Sequence, residues 1–212
     1  MKYLLCILVS YLIGSINPAY YFGKKKGINI KKEGSKNAGA SNAVILLGKS
    51  IGAICALLDI GKACFAIRFC QRLFPTLANV FAVSGTACIL GHIFPFYMKF
   101  KGGKGLACLG GVVLMYDLKF FFLFLLIEVI IALLTDYICF VPITASVFFP
   151  FAYGILTSNA IGALIFGIAA IVILLKHVEN IKRIHVGREM RLSFLWNRDN
   201  EIKRVTRDNN DE

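Results

Sequence analysis

Three polar stretches interrupt an otherwise apolar chain, and each carries residue types that can hold a phosphate or polarise a carbonyl. The run from Phe94 to Gly105 reads Phe-Pro-Phe-Tyr-Met-Lys-Phe-Lys-Gly-Gly-Lys-Gly, with Lys99, Lys101 and Lys104 set among Gly102, Gly103 and Gly105. Glycine lets a backbone turn tightly and aim its N–H groups at an anion. Lys101, Gly102, Gly103 and Lys104 are therefore candidates for a phosphate cradle, the alternative being a basic loop at a membrane surface. A nucleotide loop of the form Gly-x-x-x-x-Gly-Lys-Ser/Thr is excluded. Gly105 stands where Ser or Thr would hold magnesium, and no parallel sheet surrounds it.

The earlier stretch, Gly34 to Asn42, mixes glycines with hydroxyl and amide side chains. Gly34, Ser35, Asn37, Ser41 and Asn42 offer many neutral donors in a small space, as phosphate or a polyol requires. Ser41 or Asn42 also fits a helix N-cap, and a helix N-terminus can serve both purposes. In the last stretch, Lys176 to Glu189, the residues His177, Asn180 and Arg183 recur every three positions. On a helix they share one side. An imidazole there suits a general base, or a charge favoured by the helix dipole. His185 reads as a surface residue.

The elements that position these stretches must span a membrane. The 212-residue chain is 58% hydrophobic yet carries a formal net charge of +12, with mean hydropathy +0.71. Soluble domains do not combine these properties. Apolar segments are predicted at Tyr3 to Phe22, Ile51 to Leu73, Ala78 to Tyr97, Phe120 to Leu134, Tyr137 to Leu156 and Ile161 to Leu175. A short one runs from Leu106 to Tyr116, and Ala43 to Leu47 could form a short helix. The prediction is an all-α polytopic bundle of about seven transmembrane helices in one membrane domain, 1–187, followed by a polar cytoplasmic tail, 188–212. No small-residue cleavage site follows the first apolar segment, so it is kept as a span. Basic residues concentrate in the loop Gly23 to Asn42, in Lys99 to Lys104 and after Lys176. The positive-inside rule then places the N-terminus outside, the C-terminus in the cytoplasm and all three polar stretches on the cytoplasmic face.

Seven cysteines form no Cys-x-x-Cys pair and lie mostly in apolar runs. They are expected to pack as small hydrophobes, with neither metal nor disulfide. Nucleic acid is not expected, because the basic residues lack interleaved aromatics on a soluble face. Asp59 and Lys62, one turn apart within a span, form a candidate intramembrane ion pair with a structural role. His92 is expected to pack or to orient the loop beyond it. Glu128, among leucines and isoleucines, has no evident partner.

Taken together, the three stretches resemble the bacterial acyl-phosphate:glycerol-3-phosphate acyltransferases, the PlsY family. The likeness rests on Gly34 to Asn42, on Gly91-His92-Ile93-Phe94-Pro95 through Gly105, and on His177 to Glu189. It extends to Gly14-Ser15-Ile16-Asn17-Pro18 and Leu57-Leu58-Asp59. The resemblance implies transfer of a fatty acyl group from acyl phosphate to the first hydroxyl of glycerol 3-phosphate, giving lysophosphatidic acid and phosphate in phospholipid synthesis. It implies catalytic roles for Ser35, Lys104, His177 and Asn180 and substrate contacts from Asn37, with Gly102 and Gly103 as backbone donors. Its implied partners are the two substrates and membrane lipids. The implied location is the inner, plasma membrane with the site facing the cytoplasm, and neither a cofactor nor a protein partner is implied. Ile45 stands where the family usually has an arginine, Lys36 where it has glycine and Cys108 where it has threonine. Lys36, Lys49 or another base would then replace the phosphate-clamping arginine. The alternative from another class is a transporter of a small anionic or phosphorylated substrate, although no internal repeat is evident. A soluble-type His-x-x-x-x-Asp acyltransferase is excluded, because Tyr97, Lys182 and Met190 follow the three histidines at that spacing.

Overall fold

Asn17-Pro18 divides the first apolar segment. A residue preceding proline is driven from helical backbone, and the Asn17 side chain accepts from the Tyr20 N–H at 2.8 Å to cap a second helix that begins at Pro18. The predicted single span is thus α1 (Lys2–Ser15) and α2 (Pro18–Lys25), meeting at a break. A computed structural model describes residues 1–197, 200, 201 and 204. The remaining α-helices are α3 (Ala40–Leu47), α4 (Lys49–Leu73), α5 (Val80–Ile93), α6 (Leu106–Tyr116), α7 (Leu118–Thr135), α8 (Phe140–Thr157) and α9 (Ala160–His185). Among the described residues there is no strand.

Among the described residues, six segments are long and apolar enough to cross a membrane: α1 with α2, α4, α5 with its following turn, α7, α8 and α9. The shorter α6 also joins the two ends of the bundle. It starts beside Gly105 in the polar loop and ends with Tyr116 against the rings of Phe81 and Tyr153, at the far ends of α5 and α8. That far end is closed by Tyr3, whose hydroxyl donates to the Ala78 carbonyl at 3.1 Å, and by Asn159, which donates to Asn79 at 2.7 Å.

Lipid is as apolar as leucine, so helices in a membrane gain from close packing rather than from leaving water. α1 and α5 meet on glycines for this reason. A Cβ at Gly14 would overlap the Cys88 backbone, and one at Gly91 would overlap the Tyr11 carbonyl. The core around Ile67, Ile89, Ile93, Val112, Phe149, Phe166 and Ile173 is fully or almost fully buried. Leu123, Leu126 and Leu133 of α7 and Leu164 and Leu175 of α9 point outward, each more than half exposed. Such a surface suits lipid and would aggregate in water.

One charged cluster lies inside this apolar frame. Lys62 on α4 places its ammonium 2.6 Å from Asp59 Oδ1, 3.0 Å from His92 Nδ1 and 2.5 Å from the Ile16 carbonyl freed by the α1–α2 break. His92 Nδ1 lies 3.3 Å from the same Asp59 oxygen. A lone charge in this setting is costly. The cluster therefore ties three helices together at the break.

Candidate active site

The three polar stretches converge on one cavity of about 730 Å³. Gly34, Ser35, Asn37, Ser41, Lys104, His177 and Asn180 all line it, so the sequence-predicted catalytic residues are brought together. The first loop reaches it because Asn42, wholly buried, accepts from the Ser35 N–H at 2.9 Å. Asn42 also donates to the carbonyls of Ile30 at 2.9 Å and Glu33 at 3.0 Å. The loop is folded around this amide. Asn42 therefore scaffolds the loop and leaves no donor for a substrate, contrary to expectation. Nor does it or Ser41 cap α3: Gly39 holds that place. The first turn of α3, whose N–H groups have no partner within the helix, brings Gly39, Ala40 and Ser41 to the cavity wall.

Gly102 and Gly103 also take a different part from the one expected. Their N–H groups donate to the carbonyls of Ile93 at 3.0 Å and His92 at 3.1 Å, closing the loop back on the end of α5. A Cβ at Gly103 would occupy the space of the His92 imidazole. Glycine is needed there for close approach. Lys101 is exposed and lies outside the cavity lining. Of the second stretch, Lys104 and Gly105 alone reach the cavity. His92 meets its expectation, since ring and carbonyl together seat the loop.

Lys104 donates to Asn180 Oδ1. The Asn180 amide donates in turn to Glu189 Oε1 at 2.6 Å, and Arg183 Nε donates to Glu189 Oε2 at 2.7 Å. Partial burial, with Arg183 nearby, pushes the Lys104 ammonium down to about 8 despite Glu189 and Glu179. On α9, His177 Nδ1 lies 2.8 Å from the Ile173 carbonyl and so carries the proton in the neutral ring. That leaves Nε2 as the acceptor. His177, Asn180 and Arg183 share the cavity-facing side, as their spacing predicts.

Ile45 lines the cavity, and so do Lys36, Lys49, Arg183, Arg188 and Arg191. Several cations thus surround the place of the expected arginine. Lys36 has φ +57°, left-handed backbone that suits the glycine it replaces. The lining also has an apolar part, built from Val44, Ala53, Ala56, Leu106, Ile138 and Pro142.

Sequence reasoning missed two contributions. Asp59 and His92 also line the cavity, and the pairing of a buried Asp with a His in a different span carries no local signal. Met190, Arg191, Phe194 and Leu195 reach it from the polar tail, to which no chemistry was assigned. The apolar residues in that tail were the available sign. Asp59, His92 and Cys108 bring ligand-type atoms within 4.8 Å of one another. The Lys62 ammonium, bound to both Asp59 and His92, already supplies the positive charge there.

Fold and site define an all-helical integral-membrane protein whose bundle holds a cavity lined by both cationic and apolar side chains. The sequence pattern of the family "Glycerol-3-phosphate acyltransferase" matches residues 4–187. The chain belongs to this family. It is 37% identical over 207 residues to a glycerol-3-phosphate acyltransferase of Streptococcus thermophilus (strain CNRZ 1066), covering 92% of this chain and 95% of that one. It is 35% identical over 188 residues to glycerol-3-phosphate acyltransferase 2 of Thermotoga maritima, covering 88% and 95%. The crystal structure of PlsY (YgiH), an integral membrane glycerol 3-phosphate acyltransferase, in its glycerol 3-phosphate form superposes with a TM-score of 0.83 at 30% identity, over 92% of this chain and 98% of that chain. The lysophosphatidic acid form of that enzyme gives 0.79 at 29% identity, over 92% and 97%. These likenesses agree with the resemblance drawn from the sequence, and they give the transporter alternative no support.

Proposed function

We propose that the chain transfers a fatty acyl group from acyl phosphate to the first hydroxyl of glycerol 3-phosphate, releasing lysophosphatidic acid and inorganic phosphate for phospholipid synthesis. The observation that carries this is the meeting of cations and an apolar wall in one cavity, with Lys104 held against Asn180. Two phosphates and an alkyl chain need such a combination.

Acyl phosphate is already activated, so the protein's tasks are to place the hydroxyl at the carbonyl carbon and to stabilise the oxyanion that develops. Lys104 serves the phosphate or that oxyanion. The first turn of α3 and Ser35 bind phosphate oxygens, with Lys36, Lys49 and the tail arginines supplying charge. Attack forms the ester bond and breaks the bond between carbonyl carbon and phosphate oxygen. The hydroxyl proton passes either to the departing phosphate or to His177 Nε2, and Asn180 fixes Lys104. The positive-inside rule applied to Lys24, Lys25, Lys99 and Lys101 supports a site on the cytoplasmic face, and the family resemblance supports the inner membrane.

The test incubates purified protein with palmitoyl phosphate and glycerol 3-phosphate and follows phosphate release and lysophosphatidic acid. Absence of both products, with acyl thioesters of coenzyme A and of acyl carrier protein also inactive, would overturn the reaction. Product formed from a thioester alone would overturn the acyl-phosphate donor. For sidedness, a protease digesting the Lys99 to Lys104 loop in right-side-out vesicles would overturn the orientation.

A further inference from the structure

The match to the family pattern ends at residue 187, and the chain turns back over the cavity at that point. Gly187, at φ +69°, reverses the backbone, and the N–H groups of Arg188 and Glu189 donate to the Arg183 carbonyl at 2.7 and 3.1 Å. From there the chain crosses to the α7–α8 turn. The Leu192 N–H donates to the Asp136 carbonyl at 2.7 Å, and Arg191 Nε lies 3.8 Å from an Asp136 carboxylate oxygen. Beyond a short 3₁₀ turn, Leu192–Leu195, the chain is tied back again. Glu201 accepts from the Arg191 N–H at 3.1 Å, and Arg204 donates to Glu201 at 2.8 Å and to the Glu189 carbonyl at 2.6 Å. Between these anchors, Phe194 is buried and lines the cavity together with Met190 and Leu195.

We propose that the segment 189–195 is a cap that determines which acceptor receives the acyl group, with Phe194 and Leu195 excluding water from the carbonyl carbon. The proposal rests on acyl phosphate being the donor. Water attacking that carbon forms a carbon–oxygen bond to the acyl group and breaks the bond to phosphate oxygen. It gives a fatty acid carboxylate and inorganic phosphate, with the released protons taken up by solvent. The glycerol hydroxyl competes for the same carbon, so an apolar cover that admits the bound alcohol and sheds bulk water favours transfer. Asp136 is a positioning residue that holds the cap through the Leu192 N–H and Arg191, and Arg191 both ties the cap down and lies on the cavity wall.

The test measures, on the same purified full-length protein, free fatty acid and lysophosphatidic acid formed from palmitoyl phosphate at saturating glycerol 3-phosphate. In Phe194→Ala the ratio of fatty acid to lysophosphatidic acid is expected to rise about tenfold, equivalent to about 1.4 kcal/mol between the two barriers. Phe194→Leu restores most of the wild-type ratio, and the exposed Arg191→Ala moves it in the same direction by a smaller amount. If Phe194→Ala does not insert, Leu195→Ala is read by the same ratio. A ratio unchanged while both products fall together would overturn the cap and leave the acyl-transfer reaction standing. Wild-type protein making neither product would overturn the reaction itself.

Discussion

The Lys104 ammonium donates to the Asn180 side-chain oxygen across 76 residues of sequence, joining the glycine-rich loop to the last helix. Glu189 receives the Asn180 amide at 2.6 Å and Arg183 at 2.7 Å, so four side chains share one path of charge and hydrogen bonds. Such a path holds a flexible lysine in one place before substrate arrives.

Removing that ammonium is expected to abolish transfer. Lys104→Ala should insert and fold, since Gly102 and Gly103 keep their bonds to the end of α5, while turnover falls at least about a hundredfold, the scale of losing one oxyanion donor. Phosphate release by the purified variant is the measurement. Near-normal turnover would remove Lys104 from the mechanism.

A pH dependence follows from the same group. Burial holds the Lys104 ammonium down near 8, from an ordinary value of 10.5. Its charge is therefore present below pH 8 and lost as pH rises through that value. The free enzyme's kcat/KM should fall along that limb. Arg183→Leu removes a repelling cation and frees Glu189 to face Lys104, and both changes should move the limb upward. A limb that stays in place in Arg183→Leu would contradict the assignment.

Lys36 joins a strained backbone to a useful charge. At φ +57° a non-glycine residue costs about 1 kcal/mol, so Lys36→Gly should raise thermal stability slightly in detergent. The same change removes a cation from the cavity lining and should raise KM for glycerol 3-phosphate. Stability and KM both unchanged would show that the side chain does not stand in for the family's arginine. Lys49→Ala is the parallel variant and carries no backbone strain.

Asp59→Asn leaves the Lys62 ammonium inside the bundle without its carboxylate. Breaking a buried pair by removing one partner costs about 3 to 5 kcal/mol, and the Ile16 and His92 bonds of Lys62 remain to offset part of it. Unfolding in detergent should show the loss. The double change Asp59→Asn with Lys62→Met should be less damaging than the single changes summed, and simple additivity would show that the two residues are not coupled.

Much of this molecule is legible in the amino-acid order, because the forces that set its elements are local. Long apolar runs give the spans. Polar stretches fix which ends gather, and the spacing of His177, Asn180 and Arg183 places them on one side of α9. What the order hides is the partner of each polar group. Asn42 carries the signature of a substrate donor, yet both its donor hydrogens go to Ile30 and Glu33 while its oxygen accepts from Ser35. Gly102 and Gly103 look like an anion cradle and instead close a loop on His92 and Ile93. A hydrogen bond is short and directional, so only the folded chain decides which donors remain for a ligand. The tail makes the same point. Its few apolar residues, Leu192, Phe194, Leu195 and Trp196, suggest at most contact with the membrane interface, and only the turn at Gly187 and the anchor at Asp136 bring Phe194 to the cavity.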